Sequence, residues 1–145
     1  MGINYLEIAK CIAATSKDPK YKVGAVIFDN DGNIVSIGYN GAPRKVADRP
    51  ERYQKPLKQY YIAHAEENAI AQAARKGHAT DGSCMLIWGK TPCAACTRMI
   101  IQAGIKSVMF MTEDIRQSSY FESFKASLDM LHEAEIKITF MKDEA

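Results

Sequence analysis

Two short segments constrain this chain more than anything else in it: His64-Ala65-Glu66 and Pro92-Cys93-Ala94-Ala95-Cys96. Imidazole nitrogen and thiolate sulfur are good zinc ligands, and a catalytic zinc keeps three protein ligands and leaves a fourth position to water. His64, Cys93 and Cys96 make such a set, so any fold must carry residue 64 to the pair at 93 and 96. Water held there loses its proton near neutral pH and becomes a nucleophile. Glu66, two residues past His64, lies close enough to face the same metal without ligating it, and could carry that proton. A Cys-x-x-Cys alone would equally suit a redox pair or a structural zinc. Structural sites, however, are closed by four protein ligands. The spare donors here (His78, Cys84 or Glu66 itself) lack the spacing of a tight structural site.

The elements around these segments can be read in order. Residues 3 to 17 place Tyr5, Ile8, Ala9, Ile12 and Ala13 on one helical face, and Pro19 ends that helix. Val23 to Phe28 and Ile34 to Tyr39 are strand-length apolar runs flanking Asp29-Asn30-Asp31-Gly32-Asn33, which predicts a β-hairpin. Ile62 to Lys76 is rich in alanine and predicts a helix ended by Gly77, with His64 and Glu66 at its start. Cys84 to Trp88 reads as a third strand. Thr91 is then an N-cap, Pro92 the first helical position, and Gly104 the end of that helix. Cys93 and Cys96 thereby share one face of a first turn, where the positive helix end favours thiolate. Ser107 to Met111 predicts a fourth strand, and Ser119 to Glu122 a capping box opening a helix through Phe124, Leu128 and Leu131. Ile136, Ile138 and Phe140 mark a fifth strand. The order α-β-β-α-β-α-β-α-β implies a sheet that is parallel in its second half and covered by helices on both faces.

Between Gly41 and Tyr61 no apolar periodicity appears. Three prolines and six bases (Arg44, Lys45, Arg49, Arg52, Lys55, Lys58) stand against Asp48 and Glu51. So long an irregular segment in a compact domain is usually functional or disordered. It reads either as a solvated loop or as an anion-binding lid over His64. Cys11, on the first helix's apolar stripe, Cys84 and Trp88 are expected in the core, and the methionines are expected to pack rather than ligate.

Composition narrows the function classes. The chain has 145 residues, 47% apolar and 25% charged, and is expected to form a single domain over 1–145. A net charge of +2 does not call for nucleic acid, and no apolar run approaches a membrane span. The N-terminus has no signal-peptide pattern, and Leu6 stands where myristoylation wants serine or threonine, so a cytoplasmic location is expected.

The His-x-Glu and Pro-Cys-x-x-Cys pair is the signature of zinc-dependent base deaminases. With Ser16-Lys17-Asp18-Pro19, Lys22 to Ile27, Gly38-Tyr39-Asn40-Gly41-Ala42-Pro43, His64 to Ile70 and Gln102 to Ile105 in order, the chain resembles the cytidine/deoxycytidylate deaminase superfamily, and within it the dCMP deaminases of bacterial or phage type. The resemblance implies a three-layer α/β/α sandwich around a five-stranded mixed sheet. It implies hydrolysis of dCMP to dUMP and ammonia, with zinc-bound hydroxide attacking C4 and Glu66 shuttling the proton. By the same resemblance one zinc per chain sits on His64, Cys93 and Cys96. Asn40, the Ala65 peptide N–H, Asn68, Ser16 and Lys17 serve the nucleotide. Tyr39, Gly41, Arg44 and Lys45 fall at an effector or phosphate site. Also implied are a dimer-based homo-oligomer extending to a hexamer, dCTP and dTTP as effectors, and Mg2+ accompanying a triphosphate. A second structural zinc is not expected, since residues 41 to 63 contain neither His nor Cys. The alternatives are deamination of another nucleoside, a free base or a tRNA base, and a non-catalytic zinc-binding module.

Overall fold

The computed structural model describes residues 2–111 and 119–142. Five strands form one sheet: β1 (Gly24–Phe28), β2 (Ile34–Tyr39), β3 (Cys84–Trp88), β4 (Ser107–Met111) and β5 (Lys137–Met141). Their order is β2-β1-β3-β4-β5. β1 is antiparallel to β2 and to β3, whereas β3, β4 and β5 run parallel, so the sheet is mixed as expected. The hairpin accounts for the antiparallel half, and the helical crossovers account for the parallel half.

Four longer helices cover the sheet: α1 (Tyr5–Ala13), α3 (Ala65–Lys76), α4 (Ala94–Gln102) and α5 (Phe121–Glu133). Inside the basic segment lie a 3-10 turn (Pro50–Tyr53) and α2, a single helical turn (Lys58–Tyr61). On one face, Ala25, Ile27, Met85, Ile87, Val108 and Phe110 pack with Ala65, Ala69, Ile100 and Leu131. On the other, Val26 and Leu86 meet Ala9, with Tyr5, Ile8, Phe28 and Trp88 partly buried around them. Alternate residues of one strand thus feed opposite layers, as the pleat requires.

The helix that carries His64 and Glu66 lies close on β2. A Cβ on Gly38 would stand 2.5 Å from the Ala65 carbonyl oxygen and 2.5 Å from the Ala69 nitrogen. Ser36 Oγ donates to the Ala69 carbonyl at 2.7 Å and ties the same turn of α3 to the sheet. Gly77 ends α3 in the left-handed region at φ 69°, as its place in the sequence predicts.

Four local expectations are corrected. The first helix spans nine residues rather than fifteen, because Asn4 caps it through a bond from the Glu7 N–H and the chain turns after Ala14. α4 begins later than Thr91-Pro92 suggests: Cys93 is the N-cap, and its Sγ accepts the Cys96 N–H. α5 has Tyr120 at its N-cap with no side-chain cap bond, so the capping box does not form. Cys11 is exposed and Cys84 is only half-buried, whereas Trp88 packs against the second core cluster. A helical wheel locates a stripe but not its margins, and Cys11 lies outside the stripe that meets the sheet.

Candidate metal centre

Gly24, the first residue of β1, pairs with Tyr39 and with Trp88, the last residues of β2 and β3. The segments 14–23, 40–64 and 89–93 therefore leave the sheet along one edge, the carboxyl edge of the parallel strands. Ligands in open α/β sheets bind at that edge.

His64 arrives there by a defined route. The Gly41 N–H donates to the Ala63 carbonyl at 3.1 Å, and the Ala63 N–H returns a bond to Gly41 at 2.9 Å. The basic segment is thus a loop closed at its neck. His64 follows as the N-cap of α3 in extended backbone (φ −78°, ψ 158°), and its N–H donates to the Glu67 carboxylate at 2.9 Å. Its ring is thereby directed off the end of the helix toward the start of α4. There Pro92 is fixed from behind, its carbonyl accepting from Ser127 Oγ at 3.0 Å, while the Ala94 N–H donates to Ser123 Oγ at 2.8 Å.

Three donor atoms meet at this point. His64 Nδ1 lies 3.2 Å from Cys96 Sγ and 3.6 Å from Cys93 Sγ, and all three lie within 4.8 Å of one another. Nitrogen and sulfur bound tetrahedrally to one zinc stand about 3.5–3.8 Å apart, given Zn–N and Zn–S bond lengths. The set fits zinc in chemistry; the 3.6 Å pair has the tetrahedral spacing and the 3.2 Å pair is slightly closer. Among the described residues it is the one cluster of three His, Cys, Asp or Glu side chains that could hold an ion. The Cys93 thiol is lowered to about 4 by its hydrogen bond with Cys96 and, after that, by His64 and the Cys96 N–H; the proton retained between the sulfurs pushes Cys96 upward. The hydrogen bond with Cys93 in turn raises His64.

Glu66 stands beside this set, 4% exposed. Burial pushes its carboxyl up to about 7, against the opposing influence of His64 and of a hydrogen bond with Cys96. A carboxyl near neutrality can both take and return a proton in one cycle. Ala65 is fully buried at the first position of α3, where a peptide N–H has no intrahelical acceptor and remains available to a ligand.

The other expected site residues are placed differently. Asn40 is 6% exposed, and its side chain is engaged by the protein: Oδ1 accepts the Val23 N–H at 2.9 Å and Nδ2 donates to the Tyr21 carbonyl at 2.8 Å. Ser16 is buried and donates to the Asn40 carbonyl at 2.8 Å. Lys17, 72% exposed, pairs with Asp48 at 3.2 Å. Asn68 donates to the Tyr39 carbonyl at 2.8 Å and joins α3 to the end of β2. Tyr39 and Lys45 are exposed, Gly41 forms the loop neck, and Arg44 reaches Gln72 on α3.

Sequence reasoning passed over Asp18. It is fully buried, accepts the Lys20 and Tyr21 N–H groups at 2.9 and 3.1 Å, lies 3.4 Å from Asn40 Nδ2, and holds the Lys58 ammonium of the closed loop. Burial alone would raise its carboxyl, but Lys58 and the two N–H groups together hold it below the ordinary value. An Asp-Pro turn ahead of a strongly basic stretch was the available signal.

The comparisons with known proteins agree with this geometry. The family model for the cytidine and deoxycytidylate deaminase zinc-binding region matches residues 3–112. A "Probable deoxycytidylate deaminase" of Caenorhabditis elegans is 40% identical over 129 residues, covering 86% of this chain and 63% of the relative. The deoxycytidylate deaminase of Pongo abelii is 35% identical over 132 residues, covering 87% of this chain and 72% of that protein. The chain thus spans about two-thirds of these relatives' length. Among solved structures, the dCMP deaminase of cyanophage S-TIM5 in complex with dCMP and dUMP superposes with a TM-score of 0.74 at 27% identity, covering 94% of this chain and 93% of that one. With a His/Cys/Cys cluster of zinc spacing lying inside the matched region, the chain belongs to the cytidine and deoxycytidylate deaminase family.

Proposed function

We propose that the chain is a zinc-dependent hydrolase that converts dCMP to dUMP and ammonia. The observation that carries this reading is a buried carboxyl, Glu66, set against three donors that fit zinc. The family match and the nucleotides bound by the phage relative support it.

His64, Cys93 and Cys96 would hold the metal, which when bound supplies a Lewis acid that brings a water molecule's pKa into the neutral range. Glu66 would accept a proton from the attacking water and deliver it to ring N3; it would then take the proton of the hydroxyl newly bonded to C4 and pass it to the departing amine as the C4–N bond breaks. The Ala65 N–H would orient the pyrimidine carbonyl from the start of α3. Asn40 would hydrogen-bond the nucleoside portion beside the bonds that hold its amide to residues 21 and 23. Control by dCTP and dTTP, with Mg2+ accompanying a triphosphate, and assembly into dimers or hexamers extend the proposal. Light scattering with and without these nucleotides tests both.

Ammonia release from zinc-loaded protein, offered dCMP, CMP, dCTP, deoxycytidine and cytosine in parallel, tests the reaction. Turnover greatest on dCMP is expected; silence on all five would end the proposal. Cys93→Ala should lose the metal and melt at a lower temperature, read by elemental analysis and calorimetry, and retention of a full zinc equivalent would overturn the ligand set.

A further inference from the structure

The metal-binding turn is held from behind by one helix. Tyr120, the N-cap of α5, donates its hydroxyl to the Thr91 carbonyl at 2.7 Å. Ser127 Oγ donates to the Pro92 carbonyl at 3.0 Å, and Ser123 Oγ accepts the Ala94 N–H at 2.8 Å. Residues 120, 123 and 127 share one helical face. They lie beside the apolar stripe of Phe124, Leu128 and Leu131 that packs on the core. A hydroxyl buried in mid-helix is unfavourable unless bonded, and its usual outlet is the carbonyl one turn back. Ser127 is wholly buried, yet it directs its donor to Pro92 on another element.

What the two serines fix is one metal ligand. A peptide unit is planar, so the backbone at Cys93 is defined by how two planes turn about its Cα. The Pro92 carbonyl lies in the plane before that atom, and the Ala94 N–H lies in the plane after it. Ser127 holds the first and Ser123 the second. Cys93 thereby keeps φ −76° and ψ 169°, and its Cα–Cβ bond keeps one direction. The Cys96 N–H then meets Cys93 Sγ at 3.4 Å and orients the side chain itself. Groups around a metal site commonly orient its ligands by bonding the ligand side chain. Here the hold is on the ligand's backbone. It also comes from beyond residues 3–112, the stretch that the family model matches.

We infer that Ser123 and Ser127 are positioning residues for the metal: through the two peptide planes of Cys93 they aim its thiolate at the point shared with His64 and Cys96, and so set how tightly zinc is held. The inference rests on the metal reading of the cluster, but not on the identity of the substrate. It gives α5 a part in the site besides covering the sheet.

The test measures zinc affinity by competition with a chromogenic chelator, in wild type, Ser123→Ala/Ser127→Ala and Leu128→Ala. Leu128 packs on the core from the same helix, so its truncation loosens α5 and leaves both hydroxyls in place. The double variant should bind zinc at least about tenfold more weakly than wild type, the size usual when a group that orients a ligand is lost. Leu128→Ala should melt lower and bind zinc as wild type does. With cobalt in place of zinc, the visible absorption bands should shift in the double variant and stay level in Leu128→Ala. Ser123→Ala alone should show a smaller loss of affinity, which Ser123→Thr restores by keeping the hydroxyl. Wild-type affinity in the double variant overturns the inference, as does an equal loss in Leu128→Ala. If the double variant does not fold, Ser123→Ala decides: affinity equal to wild type, or a loss that Ser123→Thr leaves in place, overturns the inference. A wild type that binds no zinc fails earlier, at the metal reading, and takes the inference with it.

Discussion

Asp18 and Glu66 are both buried carboxylates at the same edge of the sheet, and they behave in opposite ways. Asp18 sits among donors: two backbone N–H groups, the Asn40 amide and the Lys58 ammonium. Its charge is satisfied and its carboxyl is held low. Glu66 is almost wholly buried beside the metal-binding side chains, and burial drives its carboxyl toward neutrality. A carboxylate fully met by donors fixes a loop and has no proton to offer. One that is poorly met keeps a proton within reach of the physiological range, which general acid–base catalysis requires. The pair therefore separates architecture from chemistry at one edge of one sheet.

The contrast is broken most severely at Glu66. Glu66→Gln preserves shape and removes the titration, so turnover of dCMP should fall by about 10³-fold or more while zinc content stays at wild-type level. Ammonia release and metal analysis on one preparation check both halves. Next in size is the close packing that holds Glu66 in place. Gly38→Ala drives a methyl group against the backbone of α3 and should cost about 3 kcal/mol in urea unfolding. Asp18→Asn keeps the acceptor for Lys20 and Tyr21 but leaves Lys58 unpaired. Because Lys58 is 28% exposed, the loss should be about 2 kcal/mol, below that of a fully buried pair.

The finest discrimination is by pH, in protein stripped of zinc by a chelator. Asp18 titrates lower in the fold than in the unfolded chain, so its contribution is present above about pH 4 and is lost as pH falls below that value. Glu66 titrates higher in the fold, so its contribution is complete below about pH 4 and declines as pH rises toward about 7. Urea unfolding between pH 3 and 8 should show Asp18→Asn flattening the acid limb and Glu66→Gln flattening the neutral one. The same limb flattening in both variants would remove the distinction between them.

Much of this arrangement could be read in the sequence because its signals are local. Apolar runs of strand length place β1 to β4, alternation at Ile136, Ile138 and Phe140 places β5, and His64, Cys93 and Cys96 announce a metal by residue type and spacing. What sequence did not reveal depends on contacts between distant residues. The bonds that join the Asn40 amide to Val23 and Tyr21 link residues too far apart in sequence for any pattern to pair them. Lys20, Lys58 and Lys90 look like three unrelated surface charges until the sheet edge brings them to Tyr21. Cap positions failed for a related reason. At Cys93 the thiol itself accepts the first-turn N–H, so the metal-binding turn displaced Thr91 from the role that its residue type suggests.

The neck at Gly41 and Ala63 has a consequence for how such a protein can change over time. Reciprocal hydrogen bonds commit the two ends of the excursion, and inside it Arg44, Asp48 and Lys58 are held by side chains outside it, Gln72, Lys17 and Asp18. Doubling the length of such a loop adds only about 0.6 kcal/mol of closure entropy. The stretches between those anchors can therefore be lengthened while His64 keeps its address. Lineages could then diversify what surrounds the mouth of the site without renegotiating the reaction inside it.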